Sequence, residues 1–129
     1  MRQRVADGRV ARLGTVTAEG RPHLVPCCYV LEGDTVYFAV DAKPKTSLAL
    51  RRLANLRATG HASLLVDHYG EDWSSLWWVR VDGPGRIIEV GAERERALDL
   101  LAAKYEQYRQ RRPPGPVVAI DIVTWRAWP

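Results

Sequence analysis

With 129 residues, 47% of them hydrophobic and 26% charged, the chain has the size of one domain and the balance of a soluble globular protein. Its apolar runs fall far short of the roughly 20 residues that cross a bilayer, and "MRQRVADGRV" lacks the apolar stretch of a secretory leader, so no membrane partner is expected and the cytoplasm is the expected compartment. A formal net charge of +4 favours an anionic partner without saying which kind.

In chain order, Val10 to Thr17 is rich in β-branched residues and has the length of a strand. "AEGRP" follows as a turn, "HLVPCCYVLE" as a second strand, and "GD" as a two-residue hairpin signal before "TVYFAVD". The opening therefore reads as a three-stranded antiparallel meander, with Val36, Phe38 and Val40 on one face of the third strand and Tyr37 and Ala39 on the other. The adjacent Cys27 and Cys28 point to opposite faces of an extended strand, which suits reduced packing residues better than a bridge.

From Pro44 to Arg57 the period becomes helical, with Ala49, Leu53 and Leu56 on a stripe and arginines 51, 52 and 57 among them. Pro44 suits the first helical position, and Gly60 is the expected stop. "HASLLVDHY" returns to strand, with Ala62, Leu64 and Val66 on one side. "LWWVRVDG" and "RIIEV" form one or two more strands, with Gly83-Pro84-Gly85 as a bend or turn between them. "AERERALDLLAAKYEQYRQRR" is the clearest helix, with Leu98, Leu101, Tyr105 and Tyr108 as its apolar stripe. "PPGP" breaks it, and "VVAIDIVTWRAWP" closes the chain as a strand. Short turns joining most strands, with two main helices between them, favour a mainly β, antiparallel barrel over a doubly wound parallel sheet.

No G-x-S-x-G, H-E-x-x-H or P-loop signature is present, and His23, His61 and His68 lack metal-ligand spacing, so neither a catalytic residue nor a metal site is assigned. Asp67 and His68 are strand neighbours on opposite faces and do not make an acid–base pair. "DAKPKTS" carries two of the chain's three lysines at a strand end, just before a helix start. Helix N-termini leave N–H groups unpaired and attract phosphate, and lysine adds a compact, flexible positive charge. A solvated, locally capped loop is the plainer reading of the same residues. In "EDWSSLWWVRVDG", Trp73, Trp77 and Trp78 crowd together with Arg80, as a barrel core, an interface or the wall of a ring-binding pocket would require.

These stretches, with "GRPHLVP", "NLR" and the closing "TWRAWP", resemble the pyridoxamine-phosphate-oxidase-like split β-barrel superfamily along almost the whole chain. The segment "WSSLWWVRVDG" resembles more narrowly its actinobacterial branch that uses the deazaflavin coenzyme F420. The resemblance implies a single domain over residues 1–129, a six- to seven-stranded FMN-binding-like split barrel, and a homodimer with cofactor sites at the interface. It implies that Lys43, Lys45 and Thr46 hold a cofactor phosphate and that Pro26 and Cys27 touch its ring. Trp77, Trp78 and Arg80 would come from either subunit. The implied activity is hydride transfer between F420 and a small organic acceptor, with His23, Tyr29 or water considered as proton donor. FMN in the same fold is the alternative, as is a protein that binds or stores the cofactor without turnover. Nucleic acid is disfavoured, because the tryptophans cluster among aliphatics and do not alternate with basic residues along a groove. Related chains carry a helix before the first strand, and here the segment preceding Val10 is expected to be shortened.

Overall fold

The alternation of apolar residues along the strands divides them between two cores. In the computed structural model, backbone is described for residues 1–40 and 47–129, and side chains for residues 1–40 and 51–129. The strands are β1 (Ala11–Val16), β2 (Pro22–Cys27), β3 (Val30–Glu32), β4 (Thr35–Ala39), β5 (His61–His68), β6 (Trp77–Ile88), β7 (Val117–Asp121) and β8 (Thr124–Trp128). The helices are α1 (Arg2–Asp7), α2 (Ser47–Thr59), α3 (Ala92–Lys104) and α4 (Glu106–Gln110). No helix among the described residues is long and apolar enough to cross a membrane.

All pairings are antiparallel, in the order β2-β1-β5-β6-β7-β4-β3, with β8 also on β6. The two ends of that path, β2 and β3, are separated in sequence only by Cys28 and Tyr29. Three peptide steps span at most about 11 Å, so the sheet must curl until its ends meet. The result is a split β-barrel with helices. Among the described residues it has eight strands where six or seven were expected, because two of the expected strands are each divided in two.

The opening meander keeps its expected antiparallel neighbours, but its middle strand is broken in two. β2 pairs with β1, whereas β4 pairs with β3 and β7. The chain breaks at Cys28–Tyr29 because Tyr29 is anchored on both sides. Its hydroxyl donates to the carbonyl of Val5 in α1, and its backbone N–H donates to the Tyr105 hydroxyl at 3.1 Å. A short helix, α1, precedes the first strand, and its Val5 is buried in the barrel.

Inside the barrel lie Leu13, Val25, Cys27, Tyr29, Val36, Phe38, Val40, Leu64, Val66, Val79 and Ile120, plugged by Leu53 and Leu56 of α2. Outside, α3 lays Ala97, Leu98, Leu101 and Tyr105 over Tyr37, Ala39, Val117 and Ala119. The expected split of β4 into two faces holds, as does that of the cysteines: Cys27 faces the barrel interior and Cys28 packs on the outer core. A second tie joins α3 to the sheet. The Arg86 guanidinium forks onto Glu93 at 2.9 and 3.0 Å and onto Asp121 at 2.6 and 3.1 Å, and Tyr37 donates to Glu93 at 2.8 Å.

Gly83-Pro84-Gly85 bends β6 without ending it. Residues 77–84 pair with β5, and residues 85–88 pair with β7. The bend depends on close backbone approach. A Cβ on Gly83 would lie 1.9 Å from the Asp121 carbonyl oxygen, where β7 turns the corner into β8, and one on Gly85 would lie 2.6 Å from a Leu56 methyl. Gly83→Ala is therefore expected to destabilise the protein by about 3 kcal/mol, the scale of overpacking against an immovable neighbour. Gly20→Ala, in an open turn at φ +85°, should cost only about 1 kcal/mol. Urea unfolding of the two variants would test the difference, and equal losses would show that the corner at Asp121 yields.

Candidate functional site

A cleft of about 440 Å³ opens at the barrel seam. One wall is the end of β2 and the residue after it, Pro26, Cys27 and Cys28, with Ala39 from the end of β4. The far wall is α4 and the residues that follow it, including Tyr108, Arg111, Pro113 and Pro114. Arg52 projects from α2. Two local events build this shape. The long expected helix is interrupted at Tyr105, which takes extended angles (φ −120°, ψ 122°) and lets α4 turn toward the seam. Tyr105 is held there because its hydroxyl accepts the Tyr29 N–H and lies within donor reach of the carbonyls of Arg9 (2.9 Å) and Tyr29 (3.1 Å).

The charge of the cleft is one-sided. Its lining includes Arg52 and Arg111 and no carboxylate among the described residues. The Arg52 Nε is buried and has no hydrogen-bond partner among the described residues. A buried donor left unpaired is costly, so this nitrogen is suited to an acceptor brought by a ligand. The two thiols differ. Burial pushes the Cys27 thiol up to about 12, with the Arg52 guanidinium partly offsetting it. Cys27 is thus a neutral packing group at physiological pH, and Cys28 is the partly exposed thiol. Beside the seam, burial and the nearby Arg9 lower the Lys104 ammonium to about 8; its Nζ donates to the Tyr29 carbonyl at 2.9 Å and lies 4.1 Å from the centre of the Tyr29 ring.

Of the sequence-predicted site residues, Pro26 and Cys27 line this cleft. Lys43, Lys45 and Thr46 lie outside the described residues, as do Pro44 and the side chain of Ala49. The chain leaves the barrel toward Lys43 from Val40, whose N–H donates to the Pro116 carbonyl at 3.1 Å, and returns as α2 with Arg52. Trp77 and Arg80 are elsewhere. They border a shallow groove of about 820 Å³ on the outer face of β1, β2, β5, β6 and β8, with Leu24, Leu65, Leu76, Trp78 and Trp128. Trp78 and Arg80 do share a face, as their spacing implied, opposite Trp128 and Arg126 of β8. Leu24 and Trp128 are 74% and 51% exposed there. Trp77 turns the other way, stacking on His68 and lying under the Arg4 guanidinium.

Neither side chain considered as a proton donor lines the cleft. Tyr29 is buried in the barrel and bonded to Val5, and burial raises its phenol above the usual range. The far wall was missed in sequence, because Tyr108, Arg111, Pro113 and Pro114 lie some eighty residues beyond β2. Its only sequence signal was the "PPGP" break.

A family model described as pyridoxamine 5′-phosphate oxidase matches residues 1–129. Among solved structures, a conserved hypothetical protein of Mycobacterium tuberculosis superposes with TM-score 0.79 at 21% identity, over 98% of this chain and 80% of that one. HutZ, the haem storage protein of Vibrio cholerae, gives 0.75 at 11%, covering 98% and 89%. An FAD-binding protein of Mesorhizobium loti gives 0.67 at 20%, covering 98% and 89%. At these identities the likeness concerns the fold. No curated protein sequence matches the chain.

Labelling with a thiol reagent at pH 8 should modify one cysteine per chain quickly. Cys28→Ser should abolish that fast phase, and Cys27→Ser should leave it intact, because the Cys27 thiolate is negligible well below pH 12. Fast labelling that survives Cys28→Ser would contradict the assignment.

Proposed function

Because the chain belongs to the pyridoxamine 5′-phosphate oxidase family over residues 1–129, we propose that it is an F420-dependent oxidoreductase that holds its cofactor in the seam cleft. The observation that carries this reading is the buried Arg52 Nε, which among the described residues has no partner, in a cleft lined by Arg52 and Arg111 and, among the same residues, by no carboxylate. That lining suits a flat, anionic cofactor. It does not suit haem held through an imidazole, since no histidine is among the lining residues.

When bound and reduced, a deazaflavin supplies hydride, and the protein's part is to bind, orient and exclude water. Here Arg52, with Lys43 and Lys45, would hold the phosphate. Pro26, with the backbone around Cys27 and Cys28, would border one side of the ring, and Pro113 and Pro114 the other. The prolines and the extended strand end are stiff, so they would orient a planar group at small entropic cost. A tail of several carboxylates on F420, together with the +4 balance of the chain, favours F420 over FMN, which shares the phosphate and a tricyclic ring.

The same reading includes a homodimer that covers the outer groove. Leu24, Trp78 and Trp128 form an apolar face of the kind that a second copy buries, and Arg80 would then reach the partner's side. Trp78→Glu places a charge in that interface and should convert a dimer to monomers in sedimentation analysis at micromolar concentration. A wild-type chain that sediments as a monomer would remove this part of the proposal.

Titration with F420 and with FMN, followed by tryptophan quenching, tests the cofactor. F420 should bind more tightly, and Lys43→Ala/Lys45→Ala should weaken it by roughly 1–3 kcal/mol through lost charge-assisted contacts. Preference for FMN would replace the cofactor, and F420 binding without turnover of any acceptor would favour a storage role.

A further inference from the structure

We propose that Arg94 is a positioning residue of the seam cleft, holding its far wall at the distance from Pro26–Cys28 that a planar cofactor needs. The inference rests on the cofactor reading above and adds a residue that neither touches the cleft nor carried any sequence signal.

Arg94 lies in the first turn of α3, with a side chain only 13% exposed. Its Nε donates to the Gly115 carbonyl at 3.2 Å, and its Nη2 donates to the carbonyls of Gly115 at 2.9 Å and Pro113 at 3.2 Å. Pro113 and Pro114 have no N–H, so this stretch cannot be held through them in a helix or strand ladder. A guanidinium presents its donors in one rigid plane and can fix two carbonyls at once, which an ammonium on a flexible stem does not. Gly115 is tight on its other side, since a Cβ there would lie 3.1 Å from the Val40 carbonyl oxygen. The fork thus clamps the wall against the point where the chain departs toward Lys43 and Lys45.

The other end of the wall has its own tie. Tyr105 is bonded to the backbone of Tyr29, just before α4. Tyr108, Arg111 and the two prolines project into the cleft from this wall. The stretch from Gln107 to Pro114 is thus held at the seam and at Arg94, and between them Arg109 donates to the carbonyls of Ala102 and Ala103 and Arg112 pairs with Glu95 and Asp99. Those other ties are exposed side-chain contacts, whereas Arg94 is the part-buried one that grips the carbonyls of Pro113 and Gly115 themselves, so its removal would loosen residues 113–115 and widen the cleft there without loss of any residue that lines it.

The test uses the full chain carrying Arg94→Ala or Arg94→Lys. Arg96→Ala serves as control; it breaks a surface pair with Glu32 from the same helix. Two quantities are read, the labelling rate of Cys28 without cofactor and the Kd for F420 and FMN. Arg94→Ala should raise the Cys28 rate and weaken cofactor binding by about tenfold, the order expected when a supporting contact is lost. Arg94→Lys should recover part of both, and Arg96→Ala should change neither. If Arg94→Ala does not fold, Pro114→Gly loosens the same wall and should shift both readouts in the same direction. A folded Arg94→Ala, or Pro114→Gly in its place, with unchanged labelling and affinity overturns the inference alone. A wild-type protein that binds neither cofactor overturns the preceding reading and this one with it.

Discussion

The structure depends on a short link across the barrel seam. β2 and β3 stand at opposite ends of the hydrogen-bonded path, yet only Cys28 and Tyr29 join them. A chain that short cannot bridge an open sheet, so closure follows from covalent geometry. The cost of crossing the seam is a break in the ladder, where backbone groups lose their strand partners. The Tyr105 hydroxyl meets that need by pairing with both the N–H and the carbonyl of Tyr29. The same phenol thus secures the seam at the point where α3 ends and α4 turns over the opening.

The cleft is a consequence of that arrangement. A fully laddered barrel would present only side chains at this place. The broken seam instead exposes the end of β2, and the broken helix supplies an opposite wall. Between them stand guanidinium groups with no carboxylate nearby among the described residues, in a chain whose other arginines are largely engaged, for example Arg86 with Glu93 and Asp121, or Arg112 with Glu95 and Asp99. That lack of a carboxylate partner is the physical ground for reading the cleft as one suited to an anion. The outer groove is different in kind, being apolar, shallow and built on a sheet face, which suits a protein surface better than a phosphate.

Much of the architecture was readable in advance. The period-two pattern assigned Val36, Phe38 and Val40 to one core and Tyr37 and Ala39 to another, and the cysteines to opposite faces. The stops at Gly20, Gly33 and Gly60, all at positive φ, fell where the turns were expected. The meander's neighbours held, β1 with β2 and β3 with β4, but its middle strand broke in two. Periodicity reports which face a residue occupies, and says nothing of where a ladder changes partner. The break at Cys28–Tyr29 was equally hidden, because "HLVPCCYVLE" alternates acceptably throughout and its interruption is imposed by Val5 and Tyr105, distant in sequence.

The site divides along the same line. From the family resemblance came Pro26 and Cys27 as site candidates; by itself the sequence placed them on a strand and identified the Trp77–Arg80 stretch as unusual. Local chemistry suffices for such statements, because burial periodicity and residue type are properties of neighbouring positions. Only the tertiary structure decided that Trp77 and Arg80 border a different groove from Pro26 and Cys27, that Arg52 joins the cleft with an Nε unpaired among the described residues, and that residues 107–114 complete it. Those facts arise from sheet curvature and from ties between residues many tens of positions apart, to which a local pattern in the chain is blind.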